Sequence, residues 1–232
     1  MSQAGTVTRL ALRELWITFR LLIVLVGFIG VGAVVALVPA PPAVSFERLA
    51  IGFGIATIVT SALAAWSLAD ERATGRAGWL MTRSVSRGTY LIGWFGAVAA
   101  VTAVGLTAGS TLGWLAASTV PLGLDGTGFV AAAVAILAAA WAAIGLGLLA
   151  GTIARPAAAA AIAAAVCSAV AAFSLLVPVA ASLTPVGAFL ALPQVAGADA
   201  VLPAALRAAG IGLFLAAVLL VMARVAMERA EL

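Results

Sequence analysis

Long apolar runs alternate with short polar or proline-containing breaks along the chain. A helix needs about 17–25 mostly apolar residues to cross a hydrocarbon core about 30 Å thick, because each residue adds about 1.5 Å. Six runs reach this length, and they comprise residues 21–38, 49–69, 90–118, 128–153, 157–183 and 208–227. The pattern therefore predicts an all-α polytopic membrane protein with six transmembrane helices.

The residues before the first run predict a helix that lies in the membrane interface. Within residues 1–20, apolar side chains recur at helical spacing and a basic stripe runs beside them. The apolar stripe is Leu12, Leu15, Trp16 and Phe19, and the basic stripe is Arg9, Arg13 and Arg20. A cytoplasmic extension of the first span is the alternative. A cleaved signal peptide fits poorly, because the polar lead is long and prolines stand where a small-residue cleavage site is needed.

The segment 184–207, between spans 5 and 6, is too apolar for an ordinary outer loop. Three prolines interrupt it, at Pro185, Pro193 and Pro203. Free backbone groups are tolerated at membrane depth only where protein covers them. We therefore expect a re-entrant outer segment there, with its two charges, Asp199 and Arg207, paired locally.

The composition of the chain is unlike that of soluble proteins and excludes most of their functions. The chain is 65% hydrophobic and 9% charged, whereas soluble domains carry about 25% charged residues. All twelve cations are arginine, so the lysine of a phosphate-binding loop is missing, and the chain contains no histidine and one cysteine. We therefore expect no enzymatic activity, no cofactor or metal in this chain, and no nucleic-acid partner.

The arginines orient the predicted spans. Ten of the twelve fall on one side of the membrane in a six-span topology, and only Arg48 and Arg207 fall on the other. Positive residues concentrate on the cytoplasmic side of multi-pass proteins. The distribution predicts a protein of the inner (plasma) membrane with both termini in the cytoplasm.

The predicted spans contain no acid or arginine near their centres, which argues against a proton-coupled carrier. Hydroxyl residues such as Thr60, Ser61 and Thr102 either line a weakly polar cavity or bond to helix backbones. Glycines four residues apart, at 105, 109 and 113 and at 147 and 151, indicate faces where helices approach closely.

The loop after the second span, residues 70–87, mixes charges with the apolar run Trp79-Leu80-Met81. One interpretation is a short helix that rests its apolar residues on another protein. The other is an interfacial helix that only caps the bundle.

This loop resembles the one in ABC-2 type permeases, the six-span membrane subunits of a class of ATP-driven exporters. Their pattern is E-x-x-x-G-T-L-E-x-L-L-x-x-P-[IV]-S-R, followed by the third span. The chain aligns to it without a gap, with Glu71 on the acid, Gly75 on the glycine and Val85-Ser86-Arg87 on the closing triplet. It departs from the pattern at four positions, namely Arg76, Gly78, Ser84 and Trp94.

The resemblance implies that the loop is a cytoplasmic coupling helix between spans 2 and 3, docked on a separate ATPase subunit. The residues assigned to coupling are Glu71, Arg72, Gly75, Trp79, Leu80, Met81, Ser86 and Arg87. The alternative for Glu71 is an ordinary helix-end charge paired with Arg72 or Arg76. The resemblance also implies a second permease copy or a related permease, with ATP and Mg on the partner ATPase.

The function expected from these observations is a permease subunit that exports a hydrophobic or amphipathic substrate. Three alternatives stay open: an ATP-independent carrier or channel, a membrane scaffold that does not transport, and an integral membrane enzyme. An enzyme would need a polar cluster at a membrane face, and the sequence offers no paired acids beyond Asp70-Glu71. Lipids are the remaining expected partner.

Overall fold

The computed structural model describes residues 3–38, 40–81, 85–117, 126–173 and 198–229, and the regular structure in these ranges is helical. Its helices are α1 (Gln3–Ile17), α2 (Arg20–Leu37), α3 (Pro42–Ala73), α4 (Arg76–Met81), α5 (Arg87–Ala117), α6 (Gly126–Ile153), α7 (Ala157–Phe173) and α8 (Ala198–Arg229). Five of them, α2, α3, α5, α6 and α8, are long and apolar enough to cross a membrane. The chain is therefore a multi-pass helical membrane protein.

The fifth predicted span, 157–183, is described only in its first part. Helix α7 covers Ala157–Phe173 and is apolar but shorter than the spanning helices. Residues 174–183 lie outside the described residues, so it stays a prediction that residues 157–183 cross the membrane. Arg155 and Pro156 separate α6 from α7, as the sequence predicted.

Two helices begin well before the apolar runs that predicted them. Helix α3 starts at Pro42, where the fixed φ of proline suits a first helical position. Helix α8 starts at Ala198 and passes through Pro203 without a break. Pro203 is only the sixth residue of α8, so its missing N–H removes one hydrogen bond near a free helix end. The predicted break at Pro203 is therefore wrong, and residues 184–197 lie outside the described ranges.

Helix α1 is separate from the first span. Phe19 adopts a left-handed conformation with φ 58°, which turns the chain between α1 and α2. Helix α1 packs against α5 through Val7, Ala11 and Leu15. The predicted apolar stripe is thus divided, because Trp16 and Phe19 are 60% and 66% exposed. The cause is steric: Gly93 of α5 admits Val7 to close contact, which selects the face that α1 buries.

Glycine allows the spanning helices to approach closely, as the four-residue spacings predicted. A Cβ atom on Gly109 of α5 would overlap the carbonyl oxygen of Phe28 in α2. Gly147 and Gly151 of α6 would likewise collide with the backbone carbonyls of Ser61 and Ala65 in α3. Helix α6 lies at the centre of the bundle, in contact with α3, α5, α7 and α8.

Several hydroxyl residues of the spans bond to helix backbones, whereas the buried Ser110 Oγ has no hydrogen-bond partner among the described residues. Thr60 Oγ1 donates to the carbonyl of Ala56 at 2.8 Å, and Thr102 Oγ1 donates to that of Val98 at 2.8 Å. Ser61 Oγ donates across to the Ala143 carbonyl at 2.7 Å and accepts from Ser168 Oγ at 3.0 Å. The last two bonds join α3 to α6 and α7.

We expect Gly32→Ala to destabilise the protein and Gly30→Ala to leave it unchanged or slightly more stable. A Cβ at position 32 would overlap the Gly109 carbonyl, whereas one at position 30 meets nothing within 4 Å. Overpacking of this kind costs about 1–3 kcal/mol, and alanine is favoured over glycine in an open helix by up to about 1 kcal/mol. Thermal unfolding of both variants in the same detergent measures the difference. Equal melting temperatures would contradict the close α2–α5 contact.

Candidate functional site

Seven helix ends that carry arginines or their partners meet at one end of the bundle. They are the C-terminal ends of α1, α3, α6 and α8 and the N-terminal ends of α2, α4 and α5. We call this region the polar junction, and its members are Glu14, Arg20, Asp70, Glu71, Arg72, Arg76, Arg87 and Tyr90. Four of the ten arginines predicted to share one membrane side, Arg20, Arg72, Arg76 and Arg87, thus lie together at one end of the structure.

The most buried contact of the polar junction joins α3 to α5. The hydroxyl of Tyr90 donates a hydrogen bond to the carboxylate of Glu71. Glu71 is 8% exposed and Tyr90 is fully buried, with Trp94 beside the same carboxylate. The hydrogen-bond partner of Glu71 is therefore Tyr90 rather than Arg72 or Arg76. A buried carboxylate without such a donor would be costly, because burial removes its hydration.

Two arginines cap the C-terminal ends of other helices. Arg72 Nη1 donates to the carbonyl of Gly151 at 2.9 Å and to that of Thr152, at the end of α6. Arg87 Nη1 donates to the carbonyls of Met227 at 2.9 Å and Glu228 at 2.7 Å, at the end of α8. The last carbonyls of a helix lack intrahelical donors and carry partial negative charge, so a guanidinium satisfies both needs.

Two ion pairs attach α1 and α2 to the same region. Arg20 at the start of α2 lies 3.4 Å from Asp70 and donates to Ser67 Oγ at 3.0 Å. Arg76 at the start of α4 lies 2.8 Å from Glu14 of α1. The Arg76 side chain is 48% exposed, and exposed pairs of this kind contribute about 0–1 kcal/mol. The Arg76–Glu14 pair therefore orients α1 more than it stabilises the fold.

Helix α4 is a single short helix within the segment 70–87. It follows Gly75, whose φ of +74° suits glycine and allows the turn out of α3. Trp79, Leu80 and Met81 are its last three residues. Their side chains and residues 82–84 lie outside the described part of the chain.

Ser86 has a local structural role at the start of α5. Its Oγ accepts the backbone N–H of Thr89 at 3.1 Å, which is the geometry of an N-cap. The segment therefore ends in a capped helix whose first residue, Arg87, is attached to α8.

Sequence reasoning missed the partners of the junction residues. Tyr90, Glu14 and Arg20 were not singled out as partners of Glu71, Arg76 and Asp70. These partners lie 19, 62 and 50 residues apart in sequence, so no short spacing connects them. One signal was available: Tyr90 is the only tyrosine of the chain.

Segment 70–87 is connected to most of the surrounding helices. Segment 70–87 makes hydrogen bonds to α1, α2, α6 and α8, and its Glu71 contacts α5. Among the described residues, no three of the types histidine, cysteine, aspartate and glutamate lie close enough to hold a metal ion. A force on this segment would reach five other helices directly.

No protein-family model matches the chain, and no curated protein is similar enough to it to count as a relative. The function of the chain is therefore inferred from its own residues and contacts.

We expect Tyr90→Phe to destabilise the protein by about 1–3 kcal/mol, because it removes the hydroxyl that donates to the buried Glu71 carboxylate. Glu71→Gln replaces the charge with a neutral amide. In a double-mutant cycle the second change should cost less once the first has been made. Unfolding free energies of the four proteins in one detergent measure the coupling, and strictly additive effects would show that the two side chains do not interact.

Proposed function

We propose that this chain is the membrane-spanning permease subunit of an ATP-binding cassette exporter, of the ABC-2 type. It would cross the inner (plasma) membrane six times with both termini in the cytoplasm. ATP and Mg would be held by a separate ATPase subunit, and this chain would perform no chemistry. Two permeases, either two copies of this chain or this chain and a related one, would enclose the transport pathway.

The observation that carries the proposal is the connectivity of segment 70–87. The segment follows the second span, includes a short helix and bonds to five other helices at the arginine-rich end of the bundle. A coupling element needs this arrangement, because a push at one surface point must reach several spanning helices. The resemblance of residues 71–87 to the permease pattern supports the same assignment.

In this mechanism the apolar residues Trp79, Leu80 and Met81 dock on the ATPase. Gly75 provides the turn that separates the docking helix from α3. Glu71, Arg72 and Arg87 are positioning residues, since they attach the segment to α5, α6 and α8. ATP binding would move the segment and switch the bundle between two arrangements.

The apolar grooves of the bundle support a hydrophobic or amphipathic cargo. A groove of about 600 Å³ between α2 and α3 has an almost wholly apolar lining. A second groove of about 400 Å³ between α5 and α6 adds the hydroxyl residues Thr107, Ser110 and Thr111. Neither lining contains a charged residue.

Cysteine labelling tests the orientation. In a Cys167→Ser background, Thr74→Cys places a thiol at an exposed position of the polar junction and Arg48→Cys places one at the opposite end. The excess of arginine predicts that an impermeant maleimide labels position 74 only in inside-out vesicles and position 48 only in right-side-out vesicles. The reverse result would place segment 70–87 outside the cell and end the proposal.

Affinity purification of the tagged chain from its native membranes tests the partner. We expect an ATPase with a phosphate-binding loop to co-purify. With the double variant Trp79→Ala, Met81→Ala, the amount of co-purified ATPase should fall by about nine tenths. A docking helix depends on a few apolar anchors, and this variant removes two of them. Glu71→Ala with Trp79→Ala should do the same while the protein still inserts.

The matched control is Leu202→Ala with Leu206→Ala, which removes two exposed apolar side chains near the opposite end of α8. It should retain the ATPase in full. Equal loss in both double variants would mean that the α4 residues have no special role. Transport by the purified chain alone in proteoliposomes would instead favour the carrier or channel.

A further inference from the structure

Helix α1 presents a mixed basic and aromatic face away from the bundle. Arg9, Arg13 and Trp16 follow the spacing i, i+4 and i+7, so they share one side of the helix. Val7 and Ala11 lie on the opposite side and are buried against α5. Both arginines are exposed, and Trp16 is 60% exposed.

The charges of Arg9 and Arg13 are not neutralised by the described part of the chain. Neither side chain has an ion pair or hydrogen bond there. The acids at this end are already engaged: Glu14 pairs with Arg76, Asp70 with Arg20 and Glu228 with Arg224. Glu71 is buried under Tyr90. Both guanidinium groups are therefore available to an anion from outside the described residues.

The position of α1 identifies the source of that anion. Val7 packs on Gly93, one turn inside α5 from Tyr90, and Glu14 contacts Arg76 in the polar junction. Helix α1 thus lies beside the ends of the spanning helices α3 and α5. Ile17 and Phe19 are 59% and 66% exposed at its C-terminal end. Exposed aliphatic and aromatic side chains beside free arginines match the boundary between lipid headgroups and acyl chains.

We propose that the outward face of α1 binds the phosphate of an anionic phospholipid, with Arg9 and Arg13 on the headgroup and Trp16 at the top of the acyl chains. This inference does not depend on the proposed transport function. A second copy of the chain is a poorer partner, because the described acids of its polar junction are engaged in the same way.

Brominated phospholipids test the site, since bromine quenches a tryptophan that it contacts. The purified full chain in neutral detergent is titrated with brominated phosphatidylglycerol or with brominated phosphatidylcholine, which has no net charge. The fluorescence of Trp16→Phe is subtracted at each point to isolate Trp16. We expect saturable quenching by phosphatidylglycerol at much lower concentration than by phosphatidylcholine.

The double variant Arg9→Gln, Arg13→Gln should weaken phosphatidylglycerol binding about thirtyfold, since each arginine near an anionic surface contributes about fivefold. The control is Arg155→Gln with Arg207→Gln, which removes two exposed arginines away from α1. It should stay within about twofold of the unmodified chain. Equal weakening by both variants, or equal quenching by the two lipids, would overturn the proposal.

Discussion

The hydrogen bond from Tyr90 to Glu71 is the contact on which the polar junction depends. It holds a carboxylate that is 8% exposed, next to segments that cross a membrane. Neighbouring Arg72 is committed to α6 and Arg76 to α1, so neither donates to Glu71 in the structure. With the carboxylate satisfied inside the protein, the end of α3 is fixed against α5, and segment 70–87 leaves the bundle from a defined point.

Different interactions hold the interior of the bundle together. Apolar side chains gain little by leaving lipid for protein, so close packing and interhelical hydrogen bonds carry the association. Gly109 and Gly147 bring backbones into contact, and Ser61 joins α3 to α6 and α7. Small residues therefore position the helices, and the arginines of the polar junction then fix their ends.

The sequence predicted the parts of this fold that depend on composition. Apolar length predicted the five helices that are long enough to span a membrane, and four-residue spacings predicted the glycine contacts. The sequence-based predictions failed where backbone geometry determines the structure. Phe19 leaves the helical repeat because φ becomes positive, so it does not share a face with Leu12 and Leu15. Pro203 lies too near the start of α8 to break it. For the candidate site, the sequence grouped the residues of segment 70–87 in one loop, and their coupling role stays a prediction. Their structural partners could not be predicted, because Arg87 meets α8 some 140 residues later.

The contacts of segment 70–87 with its neighbouring helices differ in strength. This difference determines which helices would move when the segment moves. The contact with α5 is buried, and the contacts with α6 and α8 use charge-assisted bonds to helix ends. The pair with α1 is exposed and is weakened by salt. A displacement of α4 should therefore move α5, α6 and α8 with α3, while Arg76 and Glu14 separate at little cost. In the proposed exporter, α1 would instead follow α5, because its buried residues Val7, Ala11 and Leu15 pack on that helix.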